Sequence, residues 1–389
     1  MNVASPINPA VLKWARETAG HSIEDVVLKL KRKRITVDIV SAWEDGRETP
    51  DYSMLERLAY EVYKRPIAVF FFPQPPEEET PRQAFRTLPD SEIDMLPPRI
   101  LFLLRQAEAM QSNLAELFDG NNPAERHIVR DVHFRPNSSV DALALSVREY
   151  LGIELSEQLQ WKSSELAFKS WRNALEERGV FVFKDAFRED SFSGFCIRHE
   201  TYPLIYVNNS RPFTHQVFTL FHELAHLLSG TGGIDLRNKE YIRTMEGTNK
   251  ETEVLCNAFA SAFLVPTNDF DRTMARIRIT EVNLNDLAAR YSVSREVILR
   301  RLRDKGVISP EYYEETVNEW ANGGKGTPGS GGNYYFSKGS YLGERYMELV
   351  FGRLYQNRIS IDQAADYLGV KVRSIPRMEA LLFPKGSAA

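Results

Sequence analysis

The pentapeptide His222-Glu223-Leu224-Ala225-His226 constrains this chain more than any other stretch. It lies in the apolar run of residues 217–228, whose length and composition suit a helix, and a spacing of four puts the two histidines on one helical face about one turn apart. Two imidazoles placed in this way can share one metal ion. A catalytic zinc takes imidazole nitrogens at about 2.0–2.1 Å, uses three protein ligands and keeps a fourth position for water. Glu223, next to the first histidine, would then be the general base that deprotonates that water. Only seven histidines occur in 389 residues, so a chance pair bracketing a glutamate inside an apolar helix weighs little against the metal reading. The bland alternative is a buried helix with two structural histidines.

A third ligand has to come from elsewhere, and residues 251–266, ETEVLCNAFASAFLVP, supply it. Leu255, Ala258, Phe259, Ala262 and Phe263 recur at helical spacing, and Pro266 marks the end of that helix. Glu253 and Asn257 share another face, one turn apart. A carboxylate on an otherwise apolar helix needs a polar partner, because an unpaired charge in a dry interior is costly. A metal held by the first helix meets that need, with Glu253 as ligand, Asn257 supporting it, and Glu251 as the fallback. The glycine-rich residues 229–233 turn the chain, and the polar stretch 235–249 is long enough to bring the second helix alongside the first. Zn²⁺ suits the donor types best; Mn²⁺ or Fe²⁺ would also accept two imidazoles and a carboxylate.

Further blocks stand in order around these two helices. PLIYVN precedes VFTLFHELAHLL, E-x-x-C-N-x-F-A-x-x-F-L-V-P follows it, and QPPEEETPRQAFR and LEERGVFVF occur at 74–86 and 175–183. Together they resemble the ImmA/IrrE family of metallopeptidases. By that resemblance His222, His226 and Glu253 are metal ligands and Glu223 is the catalytic acid/base. The resemblance also implies a metal-dependent endopeptidase that cleaves one regulatory protein, a repressor or antitoxin-like partner, in a stress, prophage or toxin–antitoxin response. Cys256 stands where the family more often has alanine. Members with an added helix-turn-helix of the lambda-repressor (XRE) type are common, and the N-terminal segment here resembles one.

In that segment residues 9–20, 23–30 and 37–43 read as helices, with Ser22 as an N-cap. SAWEDGRETPDYSMLERLAYEVYKRP resembles the closing helices of a lambda-repressor-type domain. Lys31, Arg32, Lys33 and Arg34 precede the second helix of the motif and could hold DNA phosphates. The positions that should face bases carry Val37, Asp38 and Ile39, which offer poor readout and a repelling carboxylate. A protein partner is therefore an equal reading for this scaffold. The net charge of −4 confines any nucleic-acid binding to a local patch.

The expected fold class is α+β, mainly α. Residues 1–72 read as a five-helix helix-turn-helix domain and 73–89 as an acidic proline linker. Residues 90–310 read as a zincin-like metallopeptidase domain with its core at about 175–268, 311–333 as a flexible linker, and 334–389 as a C-terminal helical unit. Three short strands are expected at 179–183, 193–197 and 204–207, leaning on the HELAH helix. Helix-turn-helix patterns recur at 284–306 and 359–381. Two cysteines, Cys196 and Cys256, exclude a disulfide framework. The apolar runs are too short to span a bilayer and the first residues lack a secretory signal, so the expectation is a cytoplasmic protein without a membrane partner. A homodimer is the default for such regulators. The competing function is a helix-turn-helix transcriptional regulator or antitoxin that acts by binding DNA or a toxin, its metal site non-proteolytic.

Overall fold

The computed structural model describes residues 7–32, 34–77, 96–134, 139–230, 233–236, 247–323 and 334–383. Lys33 and most of the expected linker at 73–89 lie outside the described residues. The chain divides into two compact units, Met1–Ala84 with Leu88–Glu108, and Phe85–Thr87 with Ala109–Ala389.

The first unit begins with helices whose ends follow from local chemistry. Asn8 caps Pro9–Thr18 by accepting from the Ala10 amide at 3.0 Å, and a proline in the first turn loses nothing there. Ser22 and Asp25 form a reciprocal capping box at the start of Ile23–Leu30, which ends on Lys31 in the left-handed region at φ 50°. Val37–Glu44 follows, then Tyr52–Arg57 running on through wider turns at Leu58–Tyr63, and a short 3₁₀ segment Ile67–Phe71. Leu12, Val26, Leu30, Val40, Leu55 and Phe70 are buried between them. Arg16 ties the first helix to the third through a 2.7 Å bond to Glu44.

In the second unit a four-stranded sheet is built from β1 (Phe181–Asp185), β2 (Phe192–Ile197), β3 (Leu204–Asn208) and β4 (Gly233–Leu236), in the order β1-β3-β2-β4. β1 runs parallel to β3, while β2 is antiparallel to both β3 and β4. The fourth strand has no counterpart in the sequence reading, because four residues opening on a glycine after a glycine-rich turn carry no alternation to detect. β1 to β3 are buried along almost their whole length, so the sheet is covered on both faces. Val182, Cys196, Ile205 and Val207 join the core that contains the HELAH helix. On the other face Phe195 stacks on Tyr206, centroids 5.1 Å apart, and Phe183 meets Tyr346 edge-on at 5.4 Å.

Helices surround this sheet. Phe213–Leu228 carries HELAH, Gly247–Leu264 carries Glu253, and Ser164–Glu176 and Val140–Leu151 pack beside them. Trp171 meets Phe221 and Phe263 edge-on at 5.0 and 5.1 Å, and those two rings stack at 4.0 Å. Aromatic contact of this kind fixes the two site-bearing helices against each other.

The expected flexible linker at 311–333 needs correction over its first part. Pro310–Gly323 is a helix, because Tyr313, Val317 and Trp320 recur at helical spacing and pack on the core; residues 324–333 lie outside the described residues. The C-terminal helices Tyr334–Leu342, Glu344–Tyr355, Ile361–Leu368 and Ile375–Leu382 belong to the same compact unit as the sheet. Arg172 secures them, donating to the Ser340 and Leu342 carbonyls at 3.0 and 2.7 Å and to Glu176 at 3.0 Å.

Candidate metal centre

The HELAH helix is buried over its last three turns, with His222 and His226 1% exposed and Glu223 fully enclosed. Their spacing brings both rings to the side that faces the Gly247–Leu264 helix. The His222 and His226 Nε2 atoms lie 3.2 Å apart. Glu253 reaches both, its Oε1 3.1 Å from His226 Nε2 and its Oε2 3.4 Å from His222 Nε2. Among the described residues this is the group of histidine, cysteine and acidic side chains close enough to hold one ion.

Donors bound tetrahedrally at about 2.0–2.1 Å from one ion lie about 3.3–3.4 Å from each other. The three separations here are of that size, with Glu253 turning one oxygen to each ring. Two imidazoles and one carboxylate are also the donor set of catalytic zinc sites, with one position left for water. Burial alone would raise the Glu253 carboxyl. The charges of the facing His226 and His222 rings and their hydrogen bonds outweigh it and hold the group far below the ordinary carboxylate range. A site that keeps Glu253 ionised and buried is ready for a cation.

Glu223 points the other way round the helix, toward β2. A Cβ added at Gly194 would lie 3.6 Å from Glu223 Cγ, 2.5 Å from Thr219 Cγ2 and 2.8 Å from the Tyr206 carbonyl oxygen. Only glycine allows β2 to come this close. Thr219 sits one turn before Glu223 on the same face, and His215 one turn before that, bonded to Ser193 Oγ at 2.9 Å. His215 thus pairs with the strand, two turns from Glu223. Gly194 and Thr219 escaped the sequence reading, although the stripe 215, 219, 223 at steps of four was there to mark a second polar face.

Asn257 donates to the Glu253 backbone carbonyl at 2.9 Å and accepts from Arg300 at 3.2 Å. It therefore steadies the turn that carries Glu253 and links it to the helix Arg295–Asp304. Glu251, the fallback ligand, is exposed and outside the cluster. Arg148 is a supporting residue that no motif marks. Buried, it donates to the Phe263 carbonyl at 2.6 Å, the Ile153 carbonyl at 3.2 Å and Gln158 at 2.7 Å. Gln158 in turn donates to the Leu264 carbonyl at 2.9 Å. The two side chains satisfy the last carbonyls of the Glu253 helix, which have no partners within the helix itself.

In the first unit Lys31, Arg32 and Arg34 are exposed, as are Val37 and Asp38. They are remote in sequence from the histidine cluster. No helix among the described residues is long and apolar enough to cross a membrane.

No curated protein matches the chain. Residues 175–303 match the profile of the M78 peptidases, described as the IrrE N-terminal-like domain. That stretch runs from the end of the Trp171 helix through the sheet, both site-bearing helices and Arg300. With its histidine pair, its facing carboxylate and the sheet laid over Glu223, this part of the chain is similar to the M78 metallopeptidase family.

Proposed function

We propose that the protein is a metal-dependent endopeptidase acting on one regulatory protein, a repressor or antitoxin-like partner. The observation that carries the reading is the triangle of two imidazole nitrogens and a carboxylate at 3.1–3.4 Å beside a fully buried glutamate. His222, His226 and Glu253 would hold a divalent ion, zinc by donor type. When bound, such an ion supplies Lewis-acid polarisation of the scissile carbonyl and acidifies a water. Glu223 takes the proton of the attacking water and passes it to the leaving amine. The enclosure of Glu223 between helix and β2 fixes its carboxyl group, so its orientation is set before a substrate arrives. Asn257 and Arg148 keep the Glu253 helix in register with the HELAH helix.

The first unit is the recruiting element of this reading. Its exposed basic cluster, Lys31, Arg32 and Arg34, suits phosphates, while Asp38 and Val37 suit a protein surface better than base edges. Either partner would bring the peptidase to a regulator.

Two measurements test the proposal. Protein reconstituted with zinc should contain one equivalent, and candidate regulatory proteins encoded beside it should be cut at one site, read by intact mass. Glu223→Gln should keep the metal and lose cleavage by about 10²–10⁴-fold, the usual contribution of a general base. Undiminished cleavage by that variant refutes the role of Glu223. One equivalent of metal with no cleavage by the native chain favours a regulator that acts by binding alone.

A further inference from the structure

Three helix pairs in this chain share one local design. Ile23–Leu30, Glu281–Tyr291 and Ile361–Leu368 each begin on a hydroxyl cap, Ser22, Thr280 and Ser360, and each stops on a residue in the left-handed region, Lys31, Ser292 and Gly369. A short turn follows, then a second helix. This is the arrangement by which a helix-turn-helix presents its second helix to a major groove. What differs between the three is the chemistry on the outer face of that second helix.

In the first pair that face starts with Val37 and Asp38, both exposed. In the middle pair the cations are spent inside the protein. Arg295 pairs with Glu281 at 3.0 Å, Arg301 with Asp141 at 3.6 Å, Arg303 with Asp304 at 2.6 Å and Lys305 with Asp271 at 2.8 Å. Arg300 faces Glu296 at 3.7 Å and bonds Asn257. The last pair is different. Lys371, Arg373 and Arg377 are all exposed, and none of them meets a carboxylate among the described residues.

Ile375 and Met378 turn the opposite side of this helix into the core of the C-terminal helices, which fixes the exposed side. Arg377 stands on it, and Arg373 lies in the 3₁₀ turn Val372–Ser374 that leads into the helix. Arg377 donates to the Tyr335 hydroxyl at 3.2 Å and lies 5.2 Å from its ring, so its guanidinium is held rather than wandering. Hydrogen bonds from Ser374 and Arg377, with the charges of Arg377 and Arg373, lower the Tyr335 phenol below its ordinary value. The carboxylates of the pair are elsewhere, Asp362 and Asp366 on the first helix and Glu379 half-buried.

We propose that the helix pair Ile361–Leu368 and Ile375–Leu382 is a docking site for double-stranded DNA, with Lys371, Arg373 and Arg377 as its phosphate contacts. Charge complementarity selects a polyanion, and a helix-turn-helix frame whose turn and second helix carry these exposed cations selects the duplex among polyanions. The site lies outside the segment matched to the peptidase family and is independent of the metal centre. It would bring the peptidase to a regulator already bound at its operator.

The test uses the full-length chain and a labelled mixed-sequence duplex of about 30 base pairs, titrated by fluorescence anisotropy over a range of salt. Three phosphate contacts predict a slope of log K against log salt of about −2.7. Arg373→Ala with Arg377→Ala should reduce its magnitude by about 1.8 and weaken binding about tenfold or more at 0.1 M salt. Arg373→Lys with Arg377→Lys should keep the slope, because the charges remain. The proposal is overturned if the native chain does not bind the duplex at low salt, or if the double alanine variant binds unchanged. It is equally overturned if Arg32→Ala with Arg34→Ala alone abolishes binding. Equal affinity for polyglutamate of the same charge would also sink it, marking a face for acidic proteins.

Discussion

At Gly194 a single hydrogen decides how closely β2 approaches the glutamate of HELAH. An alanine methyl there would lie 2.5 Å from Thr219 Cγ2 and 2.8 Å from the Tyr206 carbonyl oxygen, and the second of these is backbone that cannot swing away. Gly194→Ala should therefore cost about 1–3 kcal/mol through overpacking, read by thermal denaturation. Adding Thr219→Ser should return only part of the loss, since it removes one of the two clashes. Lys184 offers a second residue-level test. Its ammonium is buried against Phe168 and Phe213, bonded to Gln216 at 3.3 Å, and burial lowers it to about 7. The unfolded chain then binds more protons than the fold between about pH 7 and the ordinary lysine value, so Lys184 makes stability rise with pH across that window. Below about 7 both states carry the proton and the penalty is constant. Lys184→Met should flatten the rise, measured by urea denaturation at pH 7 and 9; an unchanged difference between the two would contradict the assignment. Neither Gly194 nor Lys184 stands in a motif. The candidate ligands were legible because metal chemistry needs particular side chains at particular spacings, whereas close approach and desolvation depend on what the fold brings alongside.

Among the elements, the helices of the first unit and the two site-bearing helices could be read from caps and periodicity, since Ser22, Pro266 and the leucine and phenylalanine stripes are local signals. β4 and Pro310–Gly323 could not, the one for want of alternation and the other because the glycine-rich tract just beyond it draws the expected linker back over the helix. The Glu253 helix also depends on a residue distant in sequence. Arg148, its guanidinium lowered by burial to about 10, supplies a bond to the Phe263 carbonyl at the end of that helix and another to the Ile153 carbonyl. Arg148→Ala would strand those carbonyls and Gln158 in the core, at about 1–3 kcal/mol for each group left unsatisfied. The expected result is a large drop in the urea midpoint together with weaker zinc retention, because the helix end governs where Glu253 lies. Intact stability with full zinc retention would remove Arg148 from the support of the site.

For the whole molecule, the sheet is held between two helical layers, and the second layer comes from the end of the chain. Tyr346 packs on Phe183, and Arg172 grips the carbonyls of residues 340 and 342. Deleting residues 334–389 should uncover the aromatic face of the sheet, lowering the melting temperature and driving association visible by size-exclusion chromatography; a stable monomeric product would show that this layer is dispensable. The same contact bears on synthesis. A ribosome delivers the histidine pair and its carboxylate before residue 346, so the strands beside Glu223 lack this cover until the later helices have been made. During that interval the bare aromatic face leaves the nascent chain open to association with its neighbours.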